Sequence, residues 1–332
     1  MMSSAKKSID KNVKKFNKGL LSFLDASPTP FHVVKNQIKL LEKNNFQPLS
    51  EAESWSLVPG QKYYVSRNSS ALIAFVYGKQ DITMTGVRMF AAHTDSPCLK
   101  VKPNPEIVSQ SYLKLGVEVY GGALLNPWFD RDLSLAGRVV YCDNQDNIFS
   151  TLLDFKKPIA TIPSLAIHLD REANKNRSIN SQTDLPALIM QIDGQDSNAD
   201  FNAILQEQLL AQYENIEIKH ILEHELSFYD TQKSAYIGLN DDFIASSRLD
   251  NLLSCYTGIQ ALISADNQSS SMVVCNDHEE VGSASSSGAQ GSFLKSVLER
   301  LSGSAAESLT CTIDKSMLIS ADNAHAIHPN FA

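Results

Sequence analysis

No run in this chain approaches the ~18 uninterrupted apolar residues of a membrane-spanning helix, so no membrane partner is expected. No C-x-x-C pair occurs, and the cysteines number five: Cys98, Cys142, Cys255, Cys275 and Cys311. An odd count without paired spacing argues against a disulfide framework. Cys142, Cys255 and Cys275 lie within apolar runs and read as reduced core thiols of a cytoplasmic protein. Positive charge is not in surplus either. Lys and Arg total 29 against 37 Asp and Glu, a formal net charge of −8. That balance argues against a protein built to grip nucleic acid or anionic lipid. Internal repeats and low-complexity tracts are also missing.

What is present is a globular composition, 43% apolar and 20% charged over 332 residues, enough for one large domain or two modest ones. Lys6, Lys7, Lys11, Lys14, Lys15 and Lys18 are not followed by a continuous apolar stretch, so no export signal is read there. Val13, Phe16, Leu20, Leu21 and Leu24 recur at helical spacing and predict an amphipathic helix docked on the core. Ser27-Pro28-Thr29-Pro30 breaks it, and a second helix is expected from about Phe31 to Lys43.

The texture then changes twice. Ala71–Tyr77 and Val87–Ala92 are short, nearly continuous apolar runs, as buried strands are. Tyr112–Tyr120 alternates with a period of two, and Gly137–Cys142 and Ser164–Leu169 read as further strands. Arg171–Asp184 is polar and aperiodic, a long loop. Leu249–Ile263 and Phe293–Leu301 are helical patterns, and Met272–Cys275 and Met317–Ile319 are short apolar strands of the buried kind. The expected division is a catalytic domain over residues 1–99 and 236–332, interrupted by a β-rich insertion over 100–235.

Three of the apolar strands end in metal-type ligands: His93 and Asp95, then Glu279 and Glu280, then Asp322. In an open α/β sheet, ligands gather beyond the carboxyl ends of the strands. Asp250 opens the helix that begins near Leu249. A charged residue directly after a buried strand is costly unless it is paired or holds a metal. The set mixes imidazole and carboxylate without thiolate, which suits Zn²⁺, Mn²⁺ or Co²⁺ in a catalytic role.

Longer stretches carry a resemblance. They include Ser27-Pro28-Thr29-Pro30-Phe31-His32, Ala91-Ala92-His93-Thr94-Asp95-Ser96-Pro97 and Trp128-Phe129-Asp130-Arg131-Asp132. Further along stand Ile162-Pro163-Ser164-Leu165-Ala166-Ile167-His168, Ser247-Arg248-Leu249-Asp250-Asn251, Asp277-His278-Glu279-Glu280 and Ser320-Ala321-Asp322-Asn323-Ala324-His325. In this order across the chain they resemble the M18 metalloaminopeptidases, the aspartyl-aminopeptidase-like group. The resemblance implies an α/β metallo-exopeptidase domain, a mixed sheet flanked by helices, with an inserted β-rich dimerisation domain. It implies two zinc ions per site, with Mn²⁺ or Co²⁺ as possible occupants. His93 and Asp322 would hold one ion, Glu280 the other, and Asp250 would bridge them. Glu279 would be the general base, and Asp95 would orient the imidazole of His93. His168 would reach a neighbouring subunit's active site within a dodecamer built from dimers. The substrates would be peptides, with acidic N-terminal residues favoured.

Family members continue well beyond the position of Ala332 and supply a last histidine ligand there. The resemblance therefore implies a site with a weakened second metal. The alternative to an active aminopeptidase is a catalytically impaired, truncated M18-type chain that folds or assembles without efficient turnover.

Overall fold

A computed structural model of the chain describes residues 4–192, 200–303 and 305–331. The first third carries helices α1 (Ser4–Asp25), α2 (Pro30–Glu42) and α3 (Ile82–Thr85) among strands β1 (Gln47–Pro48), β2 (Lys62–Arg67), β3 (Ala71–Val76) and β4 (Val87–His93). The middle carries β5 (Cys98–Ser109), β6 (Tyr112–Tyr120), β7 (Leu133–Cys142), β8 (Ile148–Asp154), β9 (Ala187–Gln191), α4 (Phe201–Gln212) and β10 (His220–Asp230). The last third carries β11 (Ala235–Ile237), β12 (Phe243–Ala245), α5 (Leu249–Ile263), β13 (Ser270–Asn276), α6 (Phe293–Ser302), α7 (Ala306–Asp314) and β14 (Met317–Ser320). These elements form two compact units: Met1–Ser96 with Lys233–Ala332, and Pro97–Gln232.

The first unit is a mixed six-stranded sheet in the order β1-β2-β3-β13-β4-β14, where β13 and β14 both run parallel to β4. Its central strands bury both faces, which is why their sequences are unbroken apolar runs. On β3, Leu72, Ala74 and Val76 face Val34 and Leu41 of α2 and Cys255, Ile259 and Leu262 of α5. Ile73 and Phe75, pointing the other way, join Phe293, Val297, Leu298 and Leu301 of α6. The lysine-rich α1 docks through Leu20, Phe23 and Leu24 against Leu252 and Tyr256 of α5. Gly258 lets α5 lie close to β4, since a Cβ there would stand 2.7 Å from the Phe90 ring. That approach sets the helix carrying Asp250 against the strand carrying His93.

The second unit is an antiparallel six-stranded sheet in the order β8-β7-β10-β5-β6-β9, with Phe201, Leu205 and Leu209 of α4 buried against it.

Two expectations fail. Ser164–Leu169 is not a strand: the segment is irregular and ends in a turn, with Leu165, Ile167, His168 and Leu169 exposed. Among the described residues its apolar side chains find no strand partner to complete a ladder. Met317–Ile319 does form a strand, but an exposed one on the sheet edge beside β4 rather than a buried one. None of the five cysteines is joined in a disulfide, and Cys142, Cys255 and Cys275 are buried. Among the described residues, no helix is long and apolar enough to cross a membrane.

Candidate metal centre

Six of the seven residues singled out from the sequence lie in the first unit, beyond the carboxyl ends of its strands. His93 is the last residue of β4, Glu279 and Glu280 follow β13 in a short 3₁₀ turn, and Asp322 follows β14. Asp250 lies in the first turn of α5, where its ψ of 114° departs from helix and its peptide bond to Asn251 is cis. His168 lies in the second unit, in the exposed turn already described.

The parallel pairing of β13 and β4 sets Asn276 opposite His93, so both strands release their chains at the same level. Thr94 reinforces the junction, its N–H donating to the Asn276 carbonyl at 2.7 Å and its hydroxyl to the Ser70 carbonyl at 2.7 Å. The turn beyond Asn276 is reversed by His278, whose φ of +62° places it in the left-handed region.

Asp95, 1% exposed, is the hub of the site. Its Oδ1 lies 3.3 Å from His93 Nδ1. The same carboxylate accepts the backbone N–H groups of Glu279 at 3.2 Å and Glu280 at 3.1 Å. It therefore fixes two things at once: the ring of His93, and the main chain that presents both glutamates. With Nδ1 engaged, His93 Nε2 faces the cluster, 3.3 Å from Asp250, 3.6 Å from Asp322 and 3.9 Å from Glu279. Its side chain is 6% exposed, whereas those of Asp250, Glu279 and Asp322 are between 48% and 57% exposed. The site is thus a buried imidazole ringed by carboxylates open on one side.

Two sets of three groups place ligand atoms within 4.8 Å of one another: His93 with Asp250 and Asp322, and His93 with Glu279 and Glu280. Nitrogen and oxygen donors without sulfur fit Zn²⁺, Mn²⁺ or Co²⁺. Electrostatics point the same way. Burial pulls the His93 imidazole down, but the hydrogen bond and charge of Asp95, with the charge of Glu279, outweigh it and raise His93 to about 9. Burial, then the charges of Asp95, Asp250 and Glu279, raise Glu280 to about 7 against the opposing pull of His93. Burial and a hydrogen bond to the Asp322 carboxyl raise Asp250. Carboxylates packed until they hold protons near neutrality are a site in which a divalent cation relieves repulsion.

At neutral pH the metal-free site carries a protonated His93 and a partly protonated Glu280, and an ion must displace those protons. The apparent affinity for Zn²⁺ should rise with pH from about 6 to about 9, by up to about tenfold per unit where one proton is released. Calorimetric titration in buffers of different ionisation enthalpy measures the released protons. An affinity flat across that window would show that these groups do not hold the ion.

Apart from Asp95, the groups that support these ligands have no signature of their own in the sequence. Ser96 Oγ donates to the Asp250 carbonyl at 2.8 Å, and the Cys255 thiol donates to the His93 carbonyl at 3.0 Å. Asn251 and Asn323, each next to an acid, bond across the site as well. Adjacency to the ligands was the only signal available for them.

Comparisons with known proteins agree with this chemistry. The sequence model of the family described as "Aminopeptidase I zinc metalloprotease (M18)" matches residues 23–332. A relative in Pseudomonas putida (strain GB-1), "Probable M18 family aminopeptidase 2", is 55% identical over 316 residues, covering 95% of this chain and 73% of the relative. Among solved structures, Ape4 in its complex with Nbr1 superposes with a TM-score of 0.91 at 36% identity, covering 96% of this chain and 65% of that one. The mApe1 dodecamer of S. cerevisiae superposes with a TM-score of 0.80 at 30% identity, covering 96% and 74%. This chain therefore spans about two thirds to three quarters of the length of these relatives. It belongs to the M18 family of aminopeptidases.

Proposed function

We propose that this protein is a metal-dependent aminopeptidase that releases N-terminal residues from peptides through a co-catalytic two-metal site. The observation that carries the reading is the convergence of His93, Asp250, Glu279, Glu280 and Asp322 on one open-sided cluster, organised by the buried Asp95. His93, Asp250 and Asp322 would hold one ion. Glu280 would hold the other, with Asp250 shared between them. When bound, such ions supply Lewis-acid polarisation of the scissile carbonyl and an acidified water.

The chain's own residues do the rest. Glu279, half exposed beside the cluster, takes a proton from the attacking water and returns it to the leaving amine. It can act so next to a ligand because consecutive side chains in the 3₁₀ turn point in different directions. Asp95 keeps the proton of His93 on Nδ1 and so leaves Nε2 as the ligand atom.

The substrates are peptides with a free N-terminus, acidic first residues preferred by family likeness. The working assembly is a homo-oligomer of the kind formed by mApe1, in which His168 serves a neighbouring subunit's site. The exposure of His168, together with Leu165, Ile167 and Leu169, supports that placement. The cytoplasm is the compartment that suits five cysteines without a disulfide.

The test is hydrolysis of short peptides differing in their first residue, with free or acetylated N-termini, by the wild-type protein and a His168→Ala variant. Chelator-sensitive release of the first residue from free-amine peptides alone supports the reading, and slowed turnover of H168A supports the neighbour's contribution. Cleavage that ignores acetylation or chelator overturns the aminopeptidase reading, and an unimpaired H168A overturns the role of His168.

A further inference from the structure

Asp250 and Asp322 come from segments far apart in sequence, yet a pair of matching hydrogen bonds ties them. The residue after each acid donates its side-chain amide to the carbonyl of the residue before the other. Asn251 Nδ2 donates to the Ala321 carbonyl at 2.8 Å, and Asn323 Nδ2 donates to the Leu249 carbonyl. A carbonyl can only accept, so both amides are fixed with nitrogen toward the partner segment. Asn251 is fully buried and Asn323 half-buried. Each end is anchored further. The Ala321 N–H donates to the Ala91 carbonyl on β4 at 2.8 Å, and Ser96 holds the Asp250 carbonyl. The segment carrying Asp322 is thereby fastened to the strand carrying His93 as well as to the helix carrying Asp250.

What this arrangement opposes is repulsion. The ligand atoms of Asp250, Asp322 and His93 lie within 4.8 Å of one another, so two ionised carboxylates are crowded into one triad. Left alone, two such side chains on an exposed helix start and an exposed strand end would part. We infer that Asn251 and Asn323 form a reciprocal clasp that holds the two carboxylates at metal-binding separation before an ion arrives. They are positioning residues: neither is a ligand, and both act through the acids beside them. The inference rests on the metal site proposed above. Its physical content is preorganisation, in which the cost of bringing two anions together is met by the fold and not by the incoming ion.

The test is binding of Co²⁺ to the chelated full chain, read as affinity and as the visible absorption band that reports ligand geometry. The proteins are the wild type, Asn323→Ala on the accessible arm and, as a second arm, Asn251→Ser. Circular dichroism checks their folding. The clasp predicts that N323A binds Co²⁺ about 10–100-fold more weakly, with a shifted band, and that N251S moves the same way. The rise in Tm on adding Co²⁺ should shrink in N323A. A structural role alone would lower Tm equally with and without metal and leave affinity and band unchanged, and that result would overturn the clasp. A wild type that binds no Co²⁺ would overturn the metal reading and the clasp with it. Wild-type binding matched by both variants would overturn the clasp alone.

Discussion

Glu279→Gln should lower turnover by about 10²–10⁴-fold while leaving the bound metal in place. The glutamine keeps size and polarity but cannot accept the water's proton at neutral pH. Its backbone N–H still donates to Asp95, so the turn that presents Glu280 is unaltered. Metal analysis alongside kcat separates two possibilities that distance leaves together, because Glu279 also lies within ligand reach of His93. Loss of activity with full metal content assigns the base. Loss of metal in step with activity would make Glu279 a ligand and contradict its role here.

Asp95→Ala should be the most damaging single change in the site. It removes the partner of a histidine raised to about 9 and strips the acceptor from two backbone N–H groups. With its partner gone the buried His93 gives up the proton that Asp95 held on it, and each orphaned backbone N–H costs about 1–3 kcal/mol. Metal affinity should fall as well, because neither the ring of His93 nor the main chain at Glu279 and Glu280 would be held. Chemical denaturation with and without Zn²⁺ measures both effects. A variant within about 1 kcal/mol of wild type would contradict the placement of Asp95 as the hub.

The acids of the site were legible because each follows a chemical discontinuity. His93, Glu279 and Asp322 come just after short apolar runs, and a charge at such a place demands a partner. The helix at Leu249–Ile263 and the strand at Tyr112–Tyr120 were readable from their periods alone. Other features had no local signature. Ser164–Leu169 alternates well enough to pass as a strand, but pairing is a tertiary fact, and among the described residues no strand pairs with it. Met317–Ile319 has a buried strand's composition on an exposed edge. Asp95 binds main-chain atoms more than 180 residues away, and the two asparagines bond across 70 and 74 residues. Backbone acceptors carry no sequence code, so such contacts can be seen only in three dimensions.

Calorimetric titration of the chelated protein with Zn²⁺, beside an Asp250→Ala variant, tests the metal centre most directly. Wild type should take up Zn²⁺ through His93, Asp250 and Asp322 and through Glu280, and removal of the shared carboxylate should abolish both. A wild-type protein that takes up no Zn²⁺, or a D250A variant that binds it as well as wild type, would contradict the assignment of this cluster as the metal centre.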